Sequence, residues 1–223
     1  MAQQGFLFDE DEFFRHGASD SCEQIGAASF ILRGFALPKV APIIARLERI
    51  TEVAAFRQMQ TAGGHRMSVE MTNCGEWGWL SDEQGYRYVQ LDPLSAKPWP
   101  SMPALFLKLA YDAAATVGYA GFAANACLIN RYRPGSKMSL HQDKNERDFN
   151  QPIVSVSLGL PAVFLFGGHE RSDKVDKHAL FHGDVVIWGG VDRLRYHGVM
   201  SLKEAEHPVL GAHRINLTFR KAR

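Results

Sequence analysis

The chain has 223 residues, 46% of them hydrophobic and 22% charged, with a formal net charge of +1. That suits one well-buried domain and excludes two full-sized ones. It also excludes a protein that coats nucleic acid through a global basic field, so any nucleic-acid contact must come from a local patch. Three cysteines, Cys22, Cys74 and Cys127, form no CxxC pair, which argues against a disulfide framework and a cysteine-built zinc site. A reducing compartment follows, and a cytoplasmic location is expected. No stretch approaches the roughly 20 apolar residues needed to span a bilayer, and the acidic N-terminus does not read as a signal peptide.

Residues 1–30 are acidic and aromatic and read as a loosely attached N-terminal arm. Residues 40–56 predict an amphipathic helix with Ile43, Ile44, Leu47, Ile50 and Val53 on one side. Residues 61–103 carry a Gly-Gly, Trp77, Trp79, Tyr86, Tyr88, a DP and a KPWP, and read as hairpins and loops that expose aromatics. Residues 104–117 predict a second helix, with Gly118 placed as its C-terminal glycine. From Ala126 onward, ACLINRY, PIVSVSLGL, AVFLFGG, GDVVIWGG and RINLTFR read as short strands bounded by Gly, Pro or Asp. Strands at this spacing predict a sandwich or double-sheet roll. In RINLTFR, Arg214, Asn216, Thr218 and Arg220 share one face, because strand side chains alternate. Two arginines on one face are costly to bury unless something anionic meets them, so this face should look into a pocket.

The chemistry-bearing pattern is His141-Gln142-Asp143 with a distant His197. Residues two apart on an extended segment project the same way, so His141 and Asp143 can bind one metal. A second imidazole completes the two-histidine, one-carboxylate face of non-haem Fe(II) oxygenases, which leaves positions open on the ion. HxD alone is an unspecific signal, more often a surface turn than a ligand pair. Arg214 and Arg220 strengthen it, since a guanidinium can grip a carboxylate with two parallel hydrogen bonds. The competing view of either arginine alone is a structural salt bridge at a sheet end. Competing readings are a non-catalytic metal-binding jelly-roll, which needs no arginine clamp, and a zinc hydrolase, for which no additional general base stands near the triad in sequence.

The stretches NRYRPGSKMSLHQDKNE, PIVSVSLGLPAVFLFGG, HGDVVIWGG, RLRYHGV and RINLTFR resemble the AlkB family of alkylation-repair dioxygenases. The resemblance reaches FRQMQTAGGHRMSVEMTNCGEWGW and DPLSAKPWP, so it covers the chain from Phe56 to the end. It implies a mainly β fold with flanking helices. This would be a double-stranded β-helix, or jelly-roll, over residues 125–223, with a nucleotide-recognition lid over residues 57–103. It implies that His141, Asp143 and His197 hold Fe(II), and that 2-oxoglutarate and O2 are cosubstrates. Arg214, with Tyr132 and Asn216, would meet the far carboxylate of 2-oxoglutarate; Arg220 and Asn130 would meet the one near the metal. Arg131 is grouped with these cofactor-binding residues. The implied reaction is oxidative demethylation of bases such as 1-methyladenine and 3-methylcytosine in DNA, single-stranded or duplex, with RNA as an alternative. Formaldehyde, succinate and CO2 are released. Trp79 would stack on a base flipped out of its helix. Tyr86, Arg87 and Tyr88 of the lid, Asn145 and Arg171 would complete the substrate site, while Lys137 and Lys144 would meet phosphates. For the aromatics the plainer reading is core packing, and for Arg87, Arg171 and the lysines a solvated or paired charge. The close bacterial pattern has an acidic residue after HQDK where this chain has Asn145, which accepts a hydrogen bond but supplies no charge. A weaker preference for cationic lesions is therefore expected. The protein is expected to be a monomer.

Overall fold

Strand alternation in the RINLTFR segment organises the whole structure. In the computed structural model, which describes residues 21–223, this segment is the last strand, β14 (Arg214–Arg220), and all seven residues are buried. Burial on both faces requires a layer on each side. Ile215, Leu217 and Phe219 turn to one side. They share a core with Ile43, Leu47 and Ile50 of helix α1 (Val40–Val53) and with Phe106, Leu109 and Ala113 of helix α2 (Ala104–Thr116). Arg214, Asn216, Thr218 and Arg220 turn to the other side and line a pocket.

Strand β14 sits inside an eight-stranded sheet. Its neighbours are β7 (Ala126–Tyr132) and β9 (Ile153–Gly159), both antiparallel. Beyond β9 lie β12 (Val185–Trp188), β2 (Ser29–Leu32) and β1 (Cys22–Gly26). Beyond β7 lie β4 (Arg66–Gly75) and β3 (Arg57–Gln60). A four-stranded sheet covers the polar face, in the order β11 (Asp176–Leu180), β10 (Ala162–Phe166), β13 (His197–Val199), β8 (Met138–His141). Two packed antiparallel sheets with the helices outside form the jelly-roll expected from the strand pattern. A separate hairpin, β5 (Gly78–Asp82) and β6 (Gly85–Val89), stands beside them.

Several boundaries differ from the sequence reading. Of the expected arm, residues 1–20 lie outside the described residues, whereas Cys22–Gly26 and Ser29–Leu32 extend the large sheet through the pairing of β2 with β12. The first helix ends at Val53, which is 68% exposed, and not at Phe56. Only Ile43, Leu47 and Ile50 of its apolar stripe are buried, because a single sheet face covers it. The segment over residues 57–103 is not one unit. Strands β3 and β4 belong to the main sheet, β4 pairing with β7 from Glu70 to Gly75, and only the β5–β6 hairpin stands apart. The second helix stops as expected: Gly118 has φ of 90°, Tyr119 N–H donates to Ala114 C=O and Gly118 N–H to Ala115 C=O. This double closure needs a residue that tolerates left-handed backbone. Gly78 is required for another reason, since a Cβ there would run into the indole of Trp99.

Candidate active site

Strand pairing brings the three metal-ligand candidates together. His141 ends β8, and its register partner on β13 is His197, so the two imidazoles are cross-strand neighbours with ring centroids 4.4 Å apart. Asp143 lies two residues past the strand, with Oδ1 at 3.8 Å from His141 Nε2 and Oδ2 at 3.6 Å from His197 Nε2. The ligand atoms of all three groups fall within 4.8 Å of one another. His141 Nδ1 lies 2.8 Å from Ser139 C=O, and His197 Nδ1 lies 3.1 Å from Arg195 C=O. A carbonyl can only accept, so each ring carries its proton on Nδ1 and turns the Nε2 lone pair toward the cluster. Burial, reinforced by His197, lowers the His141 pKa to about 4, so the ring is neutral at physiological pH. Burial pushes Asp143 up, but Arg220 and the two imidazoles outweigh it and hold the carboxylate well below its usual range. Neutral imidazoles and an ionised carboxylate are the forms that bind a metal.

Around this cluster is a pocket with about 480 Å³ of empty space, counting its part open to solvent. Arg214 lies at its inner wall, 1% exposed. One guanidinium nitrogen donates to Ser157 Oγ at 3.0 Å, while Nε and Nη1 have no partner. The Tyr132 ring lies 5.1 Å from the guanidinium carbon, and among the described residues no carboxylate pairs with Arg214. A buried guanidinium with two orphaned donors is costly to maintain. It fits one end of a small dicarboxylate, and this chain's donor set therefore suits 2-oxoglutarate. Arg220 is committed differently. Its Nη2 and Nε donate to Asp143 Oδ2 at 2.7 and 3.0 Å. Asn130 faces the pocket, with Nδ2 at 3.4 Å from Asn216 Oδ1. Asn216 donates to Ser155 Oγ and Val156 C=O and accepts from Thr218, so its amide holds the sheet interior together.

Arg131 corrects the grouping made from sequence. It alternates with Asn130 and Tyr132 and so points to the other face, where it pairs with Glu70 at 2.9 Å and lies over the Phe56 ring. Tyr88 is likewise not an open contact: it is buried, and its hydroxyl donates to Glu146 at 2.5 Å. Trp79 and Tyr86 stack on the hairpin, centroids 5.6 Å apart and nearly parallel. Trp79 packs on the apolar cluster of Leu128, Tyr132 and Val199, which also line the pocket. Asn145 lies between hairpin and metal loop, within 3.4 Å of Trp79 Nε1 and of Tyr86 C=O. Arg87 is held by Asp82. Arg171 donates to Leu140 C=O beside His141 and lies over Tyr196. Lys137 and Lys144 are exposed.

Sequence reasoning missed the groups behind the cluster. Glu146 and Arg193 form an ion pair at 3.1 Å with both side chains almost wholly buried. Arg193 also donates to the Asp143 carbonyl at 2.7 Å and so holds the metal loop by its backbone. Asn73 fixes the backbone of Trp79 with two bonds, through its amide and its carbonyl. The nearness of Glu146 to Asp143 and of Arg193 to His197 in sequence was the only available signal.

A jelly-roll that encloses two histidines, a carboxylate and a buried arginine slot defines a non-haem iron oxygenase that uses an oxo-acid cosubstrate. The family model of the 2OG-Fe(II) oxygenase superfamily matches residues 30–220. The chain is 51% identical over 200 residues to the alpha-ketoglutarate-dependent dioxygenase AlkB of Salmonella typhimurium, covering 90% of this chain and 93% of that one. It is 52% identical over 200 residues to the Escherichia coli protein of the same name, with the same coverage. It is 34% identical over 105 residues to the nucleic acid dioxygenase ALKBH1 of Homo sapiens, across 47% of this chain and 27% of that one. The solved structure of OsALKBH1 matches with a TM-score of 0.79 and 28% identity, over 90% of this chain and 100% of that one. The chain belongs to the AlkB family of Fe(II)- and 2-oxoglutarate-dependent dioxygenases. Its cofactors are Fe(II), 2-oxoglutarate and O2. Among the described residues no helix is long and apolar enough to cross a membrane.

Proposed function

We propose that this enzyme oxidatively removes alkyl groups from N-alkylated bases in DNA, 1-methyladenine and 3-methylcytosine among them, and so repairs alkylation damage directly. The observation that carries this reading is the Trp79–Tyr86 aromatic stack beside the metal loop. A flat platform next to a buried oxidising centre suits a flat base extruded from its stack. The AlkB and nucleic acid dioxygenase relatives support the same substrate class.

In this reading His141, Asp143 and His197 hold Fe(II) through Nε2, a carboxylate oxygen and Nε2. Arg214 grips the far carboxylate of 2-oxoglutarate with its two unpartnered donors, while Asn130 and Arg220 face the end nearer the metal. When bound, iron and 2-oxoglutarate supply the oxidising power, drawn from O2, that converts an N-methyl to an N-hydroxymethyl group, with succinate and CO2 as by-products. The hydroxymethyl group then leaves the base as formaldehyde. This chain's own residues do the placing. Trp79 and Tyr86 hold the ring face, Asn145 and Arg171 lie near its edge, and the apolar wall of Leu128, Met138 and Val199 keeps water out. Arg193 and Arg220 keep the metal loop and its carboxylate in one orientation. Exposed Lys137 and Lys144 meet backbone phosphates. We place the reaction in the cytoplasm, carried out by a monomer on single-stranded or duplex DNA.

The test is incubation of a methylated oligonucleotide with enzyme, Fe(II) and 2-oxoglutarate, with and without air, followed by mass analysis of the base. Loss of the methyl mass under air alone is expected. A base that keeps its methyl group in air would remove the assignment. A methylated RNA oligonucleotide run in parallel decides whether RNA is also a substrate.

A further inference from the structure

Arg223 touches three separate parts of the site. Its guanidinium carbon lies 5.6 Å from the Trp77 ring and 5.6 Å from the Tyr88 ring. Its Nη1 donates to the Asn145 carbonyl at 2.9 Å and to Ala222 C=O at 2.8 Å. Trp77 enters the β5–β6 hairpin and Tyr88 belongs to it. Asn145 follows Asp143 by two residues, in a stretch without regular secondary structure. The side chain of Asn145 meets Trp79 Nε1 and Tyr86 C=O on the same hairpin. One cation therefore joins the rim of the hairpin to the residue whose amide touches both members of the aromatic stack.

We propose that Arg223 is a positioning residue that docks the β5–β6 hairpin onto the metal loop and so sets where the Trp79–Tyr86 stack sits beside that loop. The consequence for substrate rests on reading that pair as the base platform; the docking itself does not. A guanidinium suits the task because it is planar and can lie against aromatic rings while its edge donates to a carbonyl. Lysine keeps the charge and one donor but has no flat face. Arg223 is half-buried and, among the described residues, forms no ion pair with an acidic side chain, so its removal strands no described carboxylate in the interior. A second tether, Tyr88 to Glu146, remains to hold the fold when Arg223 is replaced.

The experiment compares wild-type protein with Arg223→Ala and Arg223→Lys. In Arg223→Ala, amide hydrogen exchange over Gly78–Val89 should quicken about tenfold, the size of one modest contact. Strands β9 and β14 should exchange as before. With a methylated single-stranded oligonucleotide, KM should rise about tenfold while kcat stays within about twofold. The Tm increase produced by Mn(II) with 2-oxoglutarate should persist, and Arg223→Lys should fall between the other two. Unchanged hairpin exchange in Arg223→Ala overturns the proposal, and so does equal acceleration throughout the sheets. If wild-type protein demethylates nothing, the substrate reading falls, and the exchange data still decide whether Arg223 docks the hairpin.

Discussion

One oxygen of Asp143, Oδ2, accepts two hydrogen bonds from Arg220, from Nη2 at 2.7 Å and from Nε at 3.0 Å. The same arginine lies 3.5 Å from Glu146, whose carboxylate is almost completely buried. Arg220 thus neutralises two acids inside the jelly-roll and fixes the rotamer of one metal-ligand candidate. Removing one partner of a buried charged set is far costlier than losing a surface pair. Arg220→Ala should lower unfolding free energy by about 3–5 kcal/mol, read from chemical denaturation. A cost near that of a surface pair would show that the network is not holding the interior.

Arg214 should behave in the opposite sense. Its charge is buried, its Nε and Nη1 have no partner, and burial pulls its pKa down. Arg214→Met should therefore stabilise the metal-free protein by about 1–4 kcal/mol, as replacement of buried charge by apolar packing often does. The same change should raise KM for 2-oxoglutarate by roughly 10- to 100-fold, the worth of hydrogen bonds to a charged group. Denaturation at lower urea than wild type would contradict the assignment of Arg214 as an unsatisfied clamp.

Replacing Trp79 or Tyr86 by Ala should raise KM for a methylated oligonucleotide by about 5- to 100-fold, the range for one base–aromatic stack, and leave KM for 2-oxoglutarate near wild type. Asn145→Asp tests charge at the base edge separately. The carboxylate would favour cationic 1-methyladenine and 3-methylcytosine over a neutral lesion, so the ratio of their rates should increase. A ratio identical to wild type would show that the base does not sense this position.

His182 and His207 stack with ring centroids 4.4 Å apart. His182 Nδ1 accepts from Gly159 N–H at 2.8 Å. Burial, with His207 adding repulsion, lowers the His182 pKa from 6.5 to about 4. The unfolded chain then binds more protons than the native one between these values. This contribution to stability is complete above pH 6.5 and is lost progressively as the pH falls toward 4. His182→Asn retains an acceptor for Gly159 without titrating, so its Tm should decline less than wild type over that interval. Parallel Tm curves would rule His182 out as the titrating group.

Much of the architecture was legible before folding was considered. The period of two in ACLINRY and RINLTFR places Asn130, Tyr132, Arg214, Asn216 and Arg220 on a common interior wall, because a strand cannot do otherwise. The helices over residues 40–56 and 104–117 were legible from apolar spacing, and Gly118 from its role in closing a helix. The bounds of strands β8, β11 and β13 were not legible. They are short or carry polar residues, as in DKHAL, and only pairing partners make such segments strands. The same alternation turns Arg131 away from Asn130 and Tyr132, toward Glu70 and outside the cofactor site.

The order of residues alone determined the ligand types, their spacing and the polar face of the last strand, since these follow from side-chain chemistry and backbone periodicity. Only the tertiary structure decided which charges meet. It set His141 opposite His197, spent Arg220 on Asp143 while leaving Arg214 unpaired, and joined Arg223 to a loop 78 residues away along the chain. Such contacts depend on how separate strands register and pack, a property no local pattern encodes.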